Sequence, residues 1–236
     1  FRIAFGCTIL WYVMAYVGGG LVEAHYTQPP YHLTYFGFTW VAPLSQIGMR
    51  AVFYVMGLAA LGVALGLCYR ICSIILFVSY TYSFLAEAAL FQNHYYLTCL
   101  LAFLLCLVPA NRSFSLDSLS RKQSGLAPAW CRGILAFQVA VPYVFGGIAK
   151  LNYDWIHAKP VGMWVADRND LPIIGPFLTE PAFIQAISWG GIGFDLFVVP
   201  LLIWKRTRVA AFAATVVFHI TNSILFSIDY FPWFMI

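Results

Sequence analysis

Seven apolar runs, most of them about 20 residues long, decide what this chain can fold into. A helix of about 20 residues crosses a hydrocarbon core about 30 Å thick. Transmembrane β-barrels show short alternating segments instead. The sequence therefore predicts an all-α fold, a polytopic bundle of about seven transmembrane helices with interfacial loops. The runs lie near 3–22, 48–67, 71–90, 97–108, 129–149, 182–204 and 209–230.

The composition agrees with a protein whose solvent is membrane lipid. The chain is 62% hydrophobic and only 9% charged, with a mean hydropathy of +0.81, which excludes an ordinary water-soluble domain. Its net charge of +4 is explained by the loops and implies no nucleic-acid partner. The chain opens on Phe1 and stops inside an apolar stretch at Ile236. We therefore expect one transmembrane domain over 1–236, cut from a longer chain.

The distribution of lysine and arginine predicts the orientation in the membrane. With the first helix starting in the cytoplasm, nine of these residues fall on the cytoplasmic side and four on the other, as the positive-inside rule requires. The nine are Arg2, Arg70, Arg112, Arg121, Lys122, Arg132, Lys205, Arg206 and Arg208, and the four are Arg50, Lys150, Lys159 and Arg168. The connection containing Asn93 and His94 then lies on the same non-cytoplasmic side as Lys150.

Lys150 closes the fifth apolar run, and Asp154 follows four residues later. A lysine in this position either extends to the interface and anchors the helix or is a buried base. Burial disfavours the charged form of a lysine and so favours the neutral amine that a base needs.

Five polar residues lie in or beside hydrocarbon, where each needs a partner or a task. They are His94, Lys150, Asp195, His219 and Asn222. Asp195 is predicted to be a hydrogen-bond acceptor between helices, and Asn222 lies one turn from His219 on the same helix face. Two histidines and a lysine predicted near one side of the membrane favour a functional site there.

Other polar residues are interpreted as ordinary ones. His25, His32 and Glu87 are predicted at the membrane interface, the histidines within an aromatic-rich loop. The six cysteines contain no Cys-x-x-Cys pair, so no motif of a thiol redox enzyme is present. Phosphate-binding loops, Ser-His-Asp elbows and clustered metal ligands are also missing from the sequence, and no metal is predicted.

Four strings resemble the vitamin K-dependent gamma-glutamyl carboxylase and its bacterial relatives, which share the horizontally transferred transmembrane (HTTM) domain. The strings are LGLCYRI at 65–71, NHxYL at 93–97, GIAKL at 147–151 followed by Asp154 and Trp155, and HxxNSxLFSI at 219–228. They occur in the family's order and with similar spacing along nearly the whole chain. The β-rich lumenal portion of the animal enzymes has no counterpart in this sequence.

The resemblance implies a multi-pass membrane enzyme that oxygenates vitamin K hydroquinone with O₂ and uses the resulting base to add CO₂ to glutamate. Lys150 matches the lysine that deprotonates the hydroquinone, and His94 matches the histidine of the carboxylation step. Asn93, His219 and Asn222 match substrate-binding positions. The implied partners are quinol, membrane lipid and a glutamate-containing peptide or protein. The active site would lie on the non-cytoplasmic side, in the ER lumen or on the outer face of a bacterial membrane.

Three alternatives stay open from the sequence. One is an HTTM-family lipid- or quinone-modifying protein without carboxylase activity. Another is a transporter or proton pathway built on Lys150, His94 and His219. A haem-binding electron carrier is the third, although it would need paired histidine ligands on facing helices.

Overall fold

The computed structural model describes residues 1–120, 127–166, 168, 170–172, 174–226 and 230–235. It is 75% helical and contains no strand among these residues, so the prediction of an all-α fold is confirmed. Of the residues named above, Arg121, Lys122, Ser227, Ile228 and Ile236 lie outside the described residues.

In the described part of the chain, the seven helices of 15 or more residues follow the predicted apolar runs, and shorter helices lie between and after them. The helices are α1 Arg2–Gly18, α2 Leu21–Tyr26, α3 Gln46–Leu65, α4 Tyr69–Ala86, α5 Asn93–Leu107, α6 Leu116–Ser120, α7 Ala129–Ala149, α8 Tyr153–Ile156, α9 Lys159–Val165, α10 Pro181–Ile203, α11 Arg208–Phe226 and α12 Phe231–Met235. Short 3₁₀ helices cover Ala88–Leu90 and Gly175–Thr179.

Five of these helices, α3, α4, α7, α10 and α11, are long and apolar enough to cross a membrane. The predicted count of about seven spans is therefore not confirmed. Helices α1 and α5 are apolar but have only 17 and 15 residues, and a 15-residue helix is about 22 Å long. The first run was expected to continue to Val22, but Gly20 adopts a φ of 68° and separates α1 from α2.

The chain divides into two compact units, Phe1–Leu135 and Ala136–Ile236. In the first unit, α1, α3, α4 and α5 pack side by side in that order. Its most buried side chains include Ile9, Phe53, Met56, Leu76 and Leu101.

Gly6 allows α1 and α3 to approach closely. A Cβ atom at this position would lie 2.7 Å from the carbonyl oxygen of Ala60 and 2.7 Å from the amide nitrogen of Ala64. Both neighbours are backbone atoms, so a side chain could fit only if the helices moved apart. Small residues have this role where membrane helices pack on each other.

We therefore expect Gly6→Ala to lower the thermal unfolding temperature of the detergent-solubilised protein. Overpacking of this kind costs roughly 1–3 kcal/mol. Gly133→Ala in α7 is the matched control, because a Cβ there meets no heavy atom within 4 Å and alanine favours a helix. Equal unfolding temperatures for the two variants would contradict the close approach of α1 and α3.

In the second unit, the connection between Lys150 and Pro181 is folded rather than extended. It forms α8, α9 and a 3₁₀ helix, and it buries Val161, Val165 and Leu178 against Leu225 of α11. Arg168 adds a hydrogen bond from its guanidinium to the carbonyl oxygen of Leu225 at 3.1 Å. This connection therefore packs on the helices that carry the polar residues of the second unit.

Candidate functional site

Lys150 directly follows α7, and its ammonium group contacts a carboxylate in the middle of α10. Nζ donates a hydrogen bond to Oδ2 of Asp195. The Asp195 side chain is 9% exposed and that of Lys150 is 21% exposed. A carboxylate this far inside an apolar fold needs a counter-charge, and Lys150 provides it. The lysine is thus held within the unit rather than extended towards water.

Two glycines of α7 make this contact possible. A Cβ on Gly147 would lie 3.0 Å from the backbone nitrogen of Leu196 and closer still to its side chain. A Cβ on Gly146 would be 3.5 Å from Oδ2 of Asp195. The sequence Gly-Gly-Ile-Ala-Lys therefore lets α10 approach α7 one turn before Lys150.

Trp155 of α8 lies against the same lysine. Its ring centroid is 5.0 Å from Nζ of Lys150, a distance at which a cation is attracted to the ring face. Helix α10 fixes this segment, because Ser188 donates a hydrogen bond of 2.6 Å to the carbonyl oxygen of Trp155. The carbonyl oxygen of Ile156 accepts from Gln185 at 2.5 Å. Helix α10 thus holds Trp155 beside the lysine.

A second polar pair joins α7 to α11. The hydroxyl of Tyr143 and Nε2 of His219 are hydrogen-bonded at 2.7 Å, and both side chains are buried. Phe194 and Phe218 are stacked beside them with ring centroids 3.8 Å apart. The centroid of Phe218 is 5.4 Å from that of His219. His219 is therefore enclosed by aromatic rings, with a phenol as its hydrogen-bonding partner.

The two pairs lie on one face of α7. Tyr143 and Lys150 are seven residues apart, which is two helical turns or about 10 Å. Asn222, predicted on the same face of α11 as His219, is half-buried in the structure. The second unit thus contains a lysine, a carboxylate, a phenol and an imidazole on three packed helices.

His94 and Asn93 belong to the first unit, at the start of α5. The imidazole of His94 is buried, and Asn93 beside it is exposed. The backbone oxygen of His94 accepts a hydrogen bond of 2.8 Å from the hydroxyl of Thr98. That His94 and Asn93 share one site with Lys150, His219 and Asn222 stays a prediction.

The sequence interpretation missed a hydrogen bond between a histidine and a buried carboxylate in the first unit. Glu87, predicted at the interface, is 4% exposed, and its Oε2 lies 2.6 Å from Nδ1 of His32. Its Oε1 accepts from the backbone N–H groups of Leu33 at 3.2 Å and Ala89 at 3.0 Å. Glu87 thereby holds the loop after α2 against the end of α4. A glutamate directly after an apolar run, with a histidine in a neighbouring loop, was the available signal.

A polar cleft of about 520 Å³ opens next to His32. Glu23 and Gln28 contribute to its lining. The guanidinium of Arg50, hydrogen-bonded to Glu23, holds the pKa of that carboxyl below its usual range. Tyr26 borders both this cleft and a much smaller cavity that Tyr95 lines. The cleft and the cavity at Tyr95 thus share Tyr26 as a common wall residue.

The family model of the HTTM domain matches residues 1–236 of this chain. No solved structure matches the chain.

Proposed function

The chain belongs to the HTTM domain family, whose domain is found in the vitamin K-dependent carboxylases, and we propose that it is a membrane-embedded carboxylase of that kind. It oxygenates vitamin K hydroquinone to the 2,3-epoxide and uses the strong base formed to carboxylate glutamate. The observation that carries this proposal is the placement of Lys150, partly buried between Asp195 and Trp155. An amine in such a place can take a proton from a quinol while little water competes.

The reaction balances as two coupled halves. Vitamin K hydroquinone and O₂ give the epoxide and one water molecule, so the quinol is oxidised and O₂ is reduced. The gamma carbon of glutamate loses a proton to the base and forms a carbon–carbon bond with CO₂. Exclusion of water protects the carbanion from protonation before CO₂ adds.

The second unit offers groups suited to a quinol. Phe194 and Phe218 present stacked rings beside the hydrogen-bonded Tyr143 and His219. Aromatic faces bind a planar ring, and the phenol and imidazole can exchange hydrogen bonds with its hydroxyl groups. His219 and Asn222 are thus assigned to quinol binding, and Lys150 to removal of the quinol proton.

The first unit offers groups suited to a glutamyl side chain. His94 is assigned to the carboxylation step and Asn93 to binding of the same substrate. The open polar cleft, which shares Tyr26 with the cavity at Tyr95, supports an approach of a glutamate-containing peptide or protein towards His94. The orientation expected from the lysine and arginine distribution places this approach on the non-cytoplasmic side.

Epoxide formation is the direct test. Purified protein in detergent or lipid nanodiscs, supplied with vitamin K hydroquinone and O₂, should form the epoxide. Adding a glutamyl peptide and labelled bicarbonate should give labelled gamma-carboxyglutamate. Without epoxide, the proposal is wrong. Epoxide without carboxylation under any peptide would assign the protein to the quinone-modifying alternative.

The two polar pairs on α7 also suit a proton pathway, the second candidate function. Lys150 with Asp195 and Tyr143 with His219 place titratable groups about 10 Å apart along a membrane helix. The internal pH of proteoliposomes that contain the protein should then change when a membrane potential is imposed, without added quinol. Proton movement that requires quinol and O₂ would favour the carboxylase.

A further inference from the structure

We propose that Asp195 is the second half of the base: Lys150 and Asp195 take up the substrate proton as a pair, and Asp195 sets the strength of the amine. This inference rests on the proposed function for its chemistry, because a base needs a substrate proton to remove. Asp195 is then a positioning residue that acts through Lys150, in addition to accepting a hydrogen bond between helices.

The contact between Lys150 and Asp195 depends on the residues of both α7 and α10. Gly146 and Gly147 leave the space into which Asp195 and Leu196 fit, and the lysine follows within the next turn. A larger residue at either glycine would separate Nζ from Oδ2. The pair is therefore a feature of how α7 and α10 pack, and no movement of a long surface side chain is needed to form it.

The charges around the pair are few. From α7, Tyr143 interacts electrostatically with Asp195, and from α11, His219 is hydrogen-bonded to Tyr143. From α8, Asp154 is engaged by Lys159, whose Nζ is 2.8 Å from Oδ1 of that carboxylate. Lys150 is thus the cation in direct contact with Asp195 among the described residues.

The carboxylate has two opposite effects on catalysis. Protonated Lys150 beside an anion is stabilised and cannot act as a base, so the pair must lose one proton before each turnover. The anion then stabilises the ammonium that forms as the quinol proton is transferred. The proton moves from the quinol oxygen to Nζ, and the pair returns to a net charge of zero.

The test is the variant Asp195→Asn, which keeps the shape of the side chain and removes its charge. We expect the rise of epoxidation with pH to move to lower pH, because the ammonium form of the amine loses the adjacent anion. We also expect the rate at its alkaline plateau to fall by about tenfold, because the amine is a weaker base. Asp195→Glu keeps the charge and should keep the wild-type pH profile. A rate lowered equally at every pH, with no displacement of the profile, would show that Asp195 is structural.

A readout without activity separates this inference from the proposed function. The rate of acetylation of Lys150 by trace acetic anhydride, measured by mass spectrometry, follows the neutral amine. Its pH dependence should move to lower pH in Asp195→Asn and stay unchanged in Asp154→Asn, the matched surface carboxylate. Lys159 serves as the internal control in the same digest, with an unchanged profile in Asp195→Asn. Identical Lys150 profiles in wild type and Asp195→Asn would overturn the proposal, even if the protein forms epoxide.

Should Asp195→Asn not yield folded protein, Asp195→Ser removes the same charge with a smaller side chain and carries the same expectation. If the acetylation profile of Lys150 moves as predicted but no epoxide forms in wild type, the role of Asp195 is supported and the proposed reaction is wrong. If epoxide forms and the acetylation profile of Lys150 does not move, the proposed reaction is supported and the role of Asp195 is wrong.

Discussion

Lys150→Ala is expected to reduce quinol epoxidation by about a hundredfold to ten-thousandfold, the contribution of a positioned general base. The loss should appear in kcat, because the amine acts in the proton-transfer step and not in quinol binding. Epoxide formation at saturating hydroquinone measures it. A small primary amine added to the assay should restore part of the rate, since the missing base is then supplied from solution.

The Lys150→Ala variant needs a control for loss of folding stability. A lysine at the mouth of a pocket would be expected to contribute little to folding, but Lys150 is the counter-charge of the buried Asp195. Removing one partner of a buried pair costs about 3–5 kcal/mol. The double variant Lys150→Ala with Asp195→Asn removes both charges of this pair and should unfold at a higher temperature than Lys150→Ala. If the double variant is stable and retains substantial epoxidation without added amine, Lys150 is not the base.

His94→Ala is expected to uncouple the two products of the reaction. If His94 acts only on the glutamyl carbanion, its removal leaves epoxide formation intact and lowers carboxylation by about a hundredfold. Epoxide and gamma-carboxyglutamate measured in the same reaction give the ratio directly. Asn93→Ala tests the neighbouring exposed amide and should raise the Km for the glutamyl peptide.

The imidazole of His94 is buried, so a folding control belongs to this experiment. His94→Gln keeps a polar group of similar reach, and its unfolding temperature should stay near that of wild type. Equal loss of epoxide and carboxylation in a well-folded His94 variant would contradict the division of roles. His94 would then act on the quinol, and the carboxylation step would pass to His219, the other buried histidine of the described residues.

Helix content and membrane character were predictable from the sequence because both depend on local composition. Unalternating apolar runs of about 20 residues favour helices in lipid, because backbone groups there must be hydrogen-bonded within the protein and a helix achieves this within its own segment. Helix length was less predictable. A single glycine with a φ of 68° ended α1 early, and the sequence alone does not show which of three adjacent glycines takes that conformation.

The candidate residues could be named from the sequence, but their partners could not. Polar side chains are rare among apolar ones, so Lys150, Asp195, His94, His219 and Asn222 stand out without a structure. The pairing of Lys150 with Asp195 joins positions 45 residues apart, and that of Tyr143 with His219 joins positions 76 apart. Tyr143 is an ordinary aromatic residue of an apolar run, and no sequence signal marks it as the partner of a histidine.

An all-α membrane protein of the HTTM family could be recognised from the sequence, as could the polar residues that lie among apolar ones. The contacts of Asp195 with Lys150, of Tyr143 with His219 and of Glu87 with His32 became visible in the folded chain. The membrane character and helix content of a segment depend on its own residues, so they can be judged along the sequence. A contact between helices depends on their rotation and spacing, which are set by small residues such as Gly147 where two backbones meet.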